Sequence, residues 1–270
     1  MNENVKSEKK QKTIFEKRKQ TLTLVFVGVF LLFTISSLLT NYDVIDGIGS
    51  LPKSITWISK NLIPNEKSWP RLPNIFTKLF ETTLLSIAVT VCAAIVSFFF
   101  SLLGTKTTKI NPWVGRFVRI IAGLFRNIPD VVWAMLLLFS FGQNVLTGFL
   151  ALFFATFGML TRTFIETIDE VSSACVEALY ATGATYIQIV FQGIIPSSIA
   201  EIVSWVLYMI ETNIRSSTLI GILTATGIGY LFDMYYKRLD YGAASLVVIS
   251  IVITVIAIET ISNQIRKVII

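Results

Sequence analysis

A chain of 270 residues that is 53% hydrophobic and 15% charged, with a mean hydropathy of +0.69, cannot cover its apolar surface in water. Its net charge of +6 is not arranged as a basic stripe interleaved with exposed aromatics, which argues against a nucleic-acid partner and for charges at the ends of membrane spans. With no histidine and only two cysteines, Cys92 and Cys175, the chain offers no metal set, no disulfide framework and no catalytic residue.

Residues 1–21 form a polar tail with seven Lys/Arg that ends in Lys17, Arg18 and Lys19. The apolar run from Leu22 to Leu39 is too long for a signal-peptide core and lacks a small-x-small cleavage site. It predicts a retained first transmembrane helix over 22–40, with its amino end in the cytoplasm. Segment 41–80 is expected outside. There Pro52, Pro64, Pro70 and Pro73 argue against a long helix, and Trp57 and Trp69 favour the interface. That segment reads equally as a layer on the outer surface or as a plain connection.

Further apolar runs occupy Thr82–Leu103, Phe117–Phe141, Val145–Ile165, Ser198–Ser216 and Ala243–Ile261. Each is near the ~20 residues that cross a ~30 Å hydrocarbon core. Six spans place both termini in the cytoplasm. The inner segments 1–21, 105–119 and 262–270 then hold thirteen Lys/Arg, against seven in the outer segments 41–80 and 217–241. That is the positive-inside bias. The inner stretch from Glu166 to Pro196 has no Lys or Arg. Gly221, Gly227 and Gly229 fall in the last outer connection, where a flexible turn is the default.

The connection between spans four and five places Val176, Leu179, Tyr180, Gly183, Ile187, Val190, Phe191 and Ile194 at helical spacing on one continuous face. Gly183 breaks that stripe or admits a close backbone approach, and Pro196 marks the entry into span five. The apolar face must be buried against lipid, the chain's own helices or a groove in a partner protein. The missing Lys/Arg argue against anionic lipid.

Glu177-Ala178-Leu179, six residues from Glu177 to Gly183, and thirteen more to Pro196 resemble the EAA loop of binding-protein-dependent ABC importer permeases. Leu179 replaces the family's second Ala, and Gly193 and Ile195 stand where Ile and Leu are usual. The resemblance implies an all-α, six-span type I importer permease of MetI-like architecture, with the permease domain over 81–265 and its cytoplasmic coupling loop over 166–197. It implies that Glu177, Ala178, Gly183 and Pro196 couple the chain to a cytoplasmic ATP-binding subunit. ATP and Mg would be held by that subunit and no cofactor by this chain. An extracytoplasmic binding protein and a second permease chain, the same or homologous, complete the expected assembly in the bacterial cytoplasmic membrane. Arg126-Asn127-Ile128-Pro129-Asp130-Val131-Val132-Trp133, Glu211-Thr212-Asn213-Ile214-Arg215 and Gly227-Ile228-Gly229 more narrowly resemble phosphonate-transporter permeases. That resemblance implies a phosphonate or related phosphorus oxyanion as substrate.

Ionisable groups inside a span cost roughly 2.5–3.5 kcal/mol each on insertion scales, so each needs a reason. Arg116, Arg119, Gly123, Arg126 and Asp130 recur at steps of three and four, on one side of a helix if the helix is continuous. Pro129 should open it locally. Arg116 and Arg119 read as snorkelling to headgroups, whereas Arg126, Asn127 and Asp130 read as a polar pathway wall or a structural element. Glu211 and Arg215 form either an internal ion pair or, with Asn213, leave Arg215 to contact an oxyanion. Arg162 and Glu166 read as structural, and Glu201 and Glu259 as reaching water.

No Gly-x-x-x-x-Gly-Lys-Ser/Thr phosphate loop occurs, so an ATP-driven importer built on this chain must borrow its ATPase. Two rival classes remain: a secondary transporter of a small anion and a membrane-embedded enzyme. The first calls for internal repeats and poised carboxylates, the second for a nucleophile or metal constellation, and neither is evident. An ABC importer permease for a different small solute remains open as well.

Overall fold

The computed structural model describes residues 14–66, 68–107 and 111–269, and every regular element among them is helical. Residues 1–13 of the expected basic tail lie outside the described residues. The chain divides into two compact units, Met1–Lys60 and Asn61–Ile270.

In the first unit, α1 (Ile14–Thr40) starts two turns before the apolar run, so Lys17, Arg18 and Lys19 are helical. Large apolar residues such as Phe26, Phe30, Phe33 and Leu38 are exposed all around it, as on a helix solvated by lipid. Asp43 caps α2 (Val44–Asn61), its Oδ1 accepting from the Ile45 amide at 2.9 Å. This helix runs through Pro52, contrary to the expectation that proline breaks it. The missing amide deprives only the Ile48 carbonyl. Ile45, Ile48, Leu51, Ile55 and Ile58 meanwhile share one exposed apolar face, so an interface would hold the helix together.

The second unit continues with α3 (Leu72–Gly104), α4 (Pro112–Asn127), α5 (Asp130–Phe141) and α6 (Val145–Val171). Then come α7 (Ser173–Ala181), α8 (Tyr186–Gln188), α9 (Ile195–Thr224), α10 (Gly227–Lys237) and α11 (Tyr241–Ile269). Helix α6 is the hub, touching α3, α4, α5, α7 and α9. Along α3 the buried seam is Thr82, Ser86, Thr90, Ala93, Ser97, Ser101 and Gly104, small residues at steps of three and four. Lipid tails are as apolar as leucine, so close approach through small residues, rather than hydrophobic drive, is what joins such helices.

Five helices, α1, α3, α6, α9 and α11, are long and apolar enough to cross a membrane, and α4 with α5 completes six as a pair bent by 90°. The apolar run over Phe117–Phe141 is therefore a broken span, opened at Pro129 as expected but bent far more sharply than a local opening implies. Pro129 disfavours helical dihedrals in the residue before it, and Ile128 is extended at φ −92°, ψ 118°. Both halves stay on α6. Gly158 of α6 faces Phe125 and Arg126 at the end of α4, while Ala134 of α5 packs with Ala151 and Leu152 of α6.

The expected flexible turn after span five is also corrected. Helix α9 continues through Gly221, and α10 begins at Gly227 with φ +59°. A Cβ on Gly221 would lie 3.3 Å from the Gly229 Cα, and Gly229 faces the backbone of Thr218 and Ile222. These glycines let two helices touch through their backbones.

Candidate functional site

At the break between α4 and α5, Phe125 stacks on Trp133 with ring centroids 5.2 Å apart, and Phe154 and Phe157 close on Phe125 edge-on. This aromatic staple bridges the two half-helices. Arg126 and Asn127, at the end of α4, are left exposed. Asp130 opens α5, half-buried, and its Oδ1 accepts from the Val131 amide at 2.9 Å. The one-turn relation expected between Arg126 and Asp130 does not form, because the 90° bend separates them.

Halfway along α9, Asn213 is 3% exposed and fully engaged. Its Nδ2 donates to Thr90 Oγ1 at 2.8 Å and to Thr156 Oγ1 at 2.9 Å, while Thr156 Oγ1 lies 3.2 Å from its Oδ1. Ser86 Oγ and Ser217 Oγ are 3.1 Å apart one turn away. This polar layer ties α3, α6 and α9 together. The hydroxyls of Thr82, Ser86 and Thr90 also donate to carbonyls four residues back, so each is satisfied without water. Thr156 holds Asn213 and Gly158 holds Arg126, two residues apart on α6, so both groups lie at nearly one depth, within ~3 Å along that helix.

Glu211 is buried, and its Oε1 stands 3.1 Å from Arg215 Nη2, the internal ion pair weighed above. Arg215 is half exposed, on the same open side of α9 as Tyr208 and Leu219. Arg162 Nε donates to Glu166 Oε1 at 2.5 Å on the surface of α6, and Glu201 and Glu259 are exposed.

The connection after α6 forms a built element. Helix α7 ends in a left-handed Gly183, φ +80°. The Gly183 amide donates to the Tyr180 carbonyl at 3.0 Å and the Ala184 amide to the Leu179 carbonyl at 3.1 Å, a Schellman cap. Thr185 and Gln188 then form a capping box that starts the next helix. A π-turn, Ile189–Ile194, follows, with Pro196 in the first turn of α9. The wider turn relieves the collision a proline ring makes with the carbonyl four residues earlier, here Gln192.

The Gly183 turn divides the apolar stripe, the first of the two roles expected of that glycine. Val176, Ile189, Val190 and Ile194 pack with Leu102 of α3 and Ile168 of α6, whereas Ile187 and Phe191 face outward. Glu177 and Ala178 are exposed beside a groove of about 750 Å³ lined by Lys106, Thr107, Asp169, Ser173, Glu177 and Tyr180. The two departures at Leu179 and Gly193 compensate each other. A Cβ at Gly193 would come within 2.8 Å of Leu179 Cδ1, so the larger residue at one position occupies the space vacated at the other.

Sequence reasoning missed Asp169. Its Oδ1 accepts from the Lys106 amide at 2.9 Å, the Thr107 amide at 3.1 Å, Thr107 Oγ1 at 2.8 Å and also Thr105 Oγ1. Arg119 stands 3.8 Å from its other oxygen and donates twice to the Gly104 carbonyl, at 2.9 and 2.6 Å. Arg119 therefore spends its charge inside the protein and not on headgroups. No local motif announces Asp169, but the small-residue seam of α3 was visible as spacing.

Residues 97–270 match the family of binding-protein-dependent transport system inner membrane components. The chain belongs to that family. The permease is 27% identical over 223 residues to the phosphite transport system permease protein PtxC of Stutzerimonas stutzeri, covering 82% of this chain and 79% of that one. It is 29% identical over 188 residues to the phosphate-import permease protein PhnE of Mycolicibacterium smegmatis, covering 70% of this chain and only 35% of that longer protein. In fold it resembles an inward-facing form of the MetNI methionine ABC transporter, with a TM-score of 0.67 and 20% identity, over 74% of this chain and 98% of that one. The permease is thus a multi-pass, MetI-like subunit of an ABC importer and not an enzyme, with ATP hydrolysis on a separate subunit.

Proposed function

We propose that the permease admits a phosphorus oxyanion, namely phosphite, phosphate or an alkylphosphonate, to the cytoplasm at the interface of two permease chains. The observation that carries this reading is the break at Ile128–Pro129, which leaves Arg126 and Asn127 exposed at the depth of Asn213. Arg215, two residues beyond Asn213, is open at nearly the same level. Guanidinium groups hold tetrahedral oxyanions through paired charge-assisted hydrogen bonds, which suits both arginines to this cargo. Asp130 bounds the path, and Asn213 serves it from behind by holding α9 in place. Relatives named for phosphite and phosphate import support the same chemistry.

In this reading both termini and α7 are cytoplasmic, in the bacterial cytoplasmic membrane. The groove beside Glu177 and Ala178 receives an ATP-binding subunit, and Gly183 and Pro196 pass its movement into α9. An extracytoplasmic binding protein delivers the anion. The test is uptake of phosphite, phosphate and methylphosphonate by vesicles holding the complete transporter, with ion gradients collapsed. ATP-driven uptake of at least one supports the reading; uptake that stops with the gradients, or that is confined to other solutes, overturns it.

Two variants test its parts. Arg126→Ala should lower uptake by about tenfold, roughly the value of one charge-assisted contact, while the yield of complex is unchanged. A parallel fall in yield would make the residue structural. Gly183→Val should assemble, since nothing lies within 4 Å of its Cβ position, but it forces a β-branched residue into left-handed backbone at about 1–2 kcal/mol. We expect ATP hydrolysis to persist while uptake falls, and undiminished uptake would remove Gly183 from the coupling path.

A further inference from the structure

Glu211 has a second arginine neighbour. Its carboxylate is nine-tenths buried, with Arg215 Nη2 3.1 Å from Oε1 and Arg266 Nη2, from the last turns of α11, 4.0 Å from Oε2. The second separation is about 1 Å too long for a hydrogen bond. Arg266 Nη1 makes a long 3.4 Å contact with Asn263 Oδ1, and its Nε and Nη2 are buried without any hydrogen-bond acceptor. Buried guanidinium donors are rarely left unsatisfied, and here they stand just short of a carboxylate. The position also departs from the sequence reading, in which Arg266 counted simply as a charge of the inner segment 262–270.

The two arginines differ in access. Arg215 keeps 51% of its side chain exposed and Arg266 28%. Arg215 can turn toward an anion only by abandoning Glu211, and a lone buried carboxylate is strongly unfavourable. A second cation within closing distance removes that obstacle.

We propose that Arg266 is the reserve counter-ion of Glu211: when Arg215 turns to the passing oxyanion, Arg266 closes on the carboxylate and draws the end of α11 against α9. The group of one carboxylate and two guanidinium ions carries a net charge of +1 in both arrangements. Only the identity of the free cation changes, from a confined one to an open one. Arg266 is a positioning residue, since it acts on the anion only through Glu211 and Arg215. The inference rests on Arg215 being an anion contact, as proposed above.

The experiment is ATP-driven uptake of inorganic phosphite, or of whichever of the three oxyanions the complete transporter carries, in proteoliposomes. Arg266→Gln should reduce uptake by about tenfold, the effect expected when Arg215 stays locked to an otherwise unpaired carboxylate. Arg266→Lys, which keeps the charge, should restore most of the rate. The double variant Glu211→Gln with Arg266→Gln should recover as well, because no carboxylate remains to hold Arg215. A purely structural role predicts no recovery in the double variant, and that result overturns the proposal, as does unchanged uptake by Arg266→Gln. If Arg266→Gln does not assemble, the double variant decides: assembly with uptake supports the proposal, and assembly without uptake overturns it. Arg215→Gln reads the underlying assumption separately. Full uptake by that variant removes the anion contact, whereas its loss beside a normal Arg266→Gln removes only the reserve counter-ion.

Discussion

Gly158→Val should abolish recovery of the folded permease, and Gly158→Ala should destabilise it by about 1–3 kcal/mol or more, as overpacking does in tight interiors. A Cβ there would lie 2.7 Å from the Phe125 carbonyl carbon and 2.8 Å from its Cβ, and closer still to the Arg126 amide. These are backbone and near-backbone atoms at the end of α4. They cannot retreat, because Phe125 is held by Trp133, Phe154 and Phe157. Gly123→Ala, one turn earlier on α4, is the control: its Cβ meets nothing within 4 Å, and alanine improves helix propensity. Yield of monodisperse complex and thermal unfolding in one detergent compare the two. Equal stability of Gly158→Val and the parent would mean that the break is not pinned against α6.

Asn213→Leu should lower stability by about 2–3 kcal/mol, from hydrogen bonds worth roughly 0.6–1.7 kcal/mol each in a membrane interior. The substitution strips partners from Thr90 and Thr156 at once, and the hydroxyls have no water to replace them. Asn213→Asp should be worse, since it buries a charge and turns the donor into a second acceptor. Reversible unfolding in bicelles measures both. A variant of full stability without uptake would instead place Asn213 on the anion path itself.

Much of this was legible from local chemistry. The apolar runs mark α1, α3, α6, α9 and α11, because a bilayer imposes length and hydropathy directly on sequence. Gly183 and Pro196 were legible for a similar reason: a left-handed C-cap and a proline in a first turn are local needs with few residue solutions. Tertiary facts were not. Pro129 announces a break but not its 90° angle, which depends on Gly158 and the aromatic staple. The engagement of Asn213 by two threonines more than fifty residues away has no local trace, nor does the reach of Arg266 to Glu211. Pro52 misled because its cost is one hydrogen bond, while the apolar face that outweighs it is a property of the whole of α2.

The seam of α3 has a consequence for how the protein tolerates change. From Thr82 to Gly104 the buried face of α3 is made mostly of glycine, alanine, serine and threonine, with Val89 and Leu102 the larger residues among them. The Ser101 hydroxyl bonds within its own helix, so exchange for alanine there removes little, while Ser97 donates across to the Phe157 carbonyl of α6 at 3.2 Å and loses that one tie; any longer side chain wedges α3 away from α6 and α9. A randomised library over the small positions should therefore return a narrow alphabet of small residues and almost nothing else, with Thr90 the exception because Asn213 needs its oxygen.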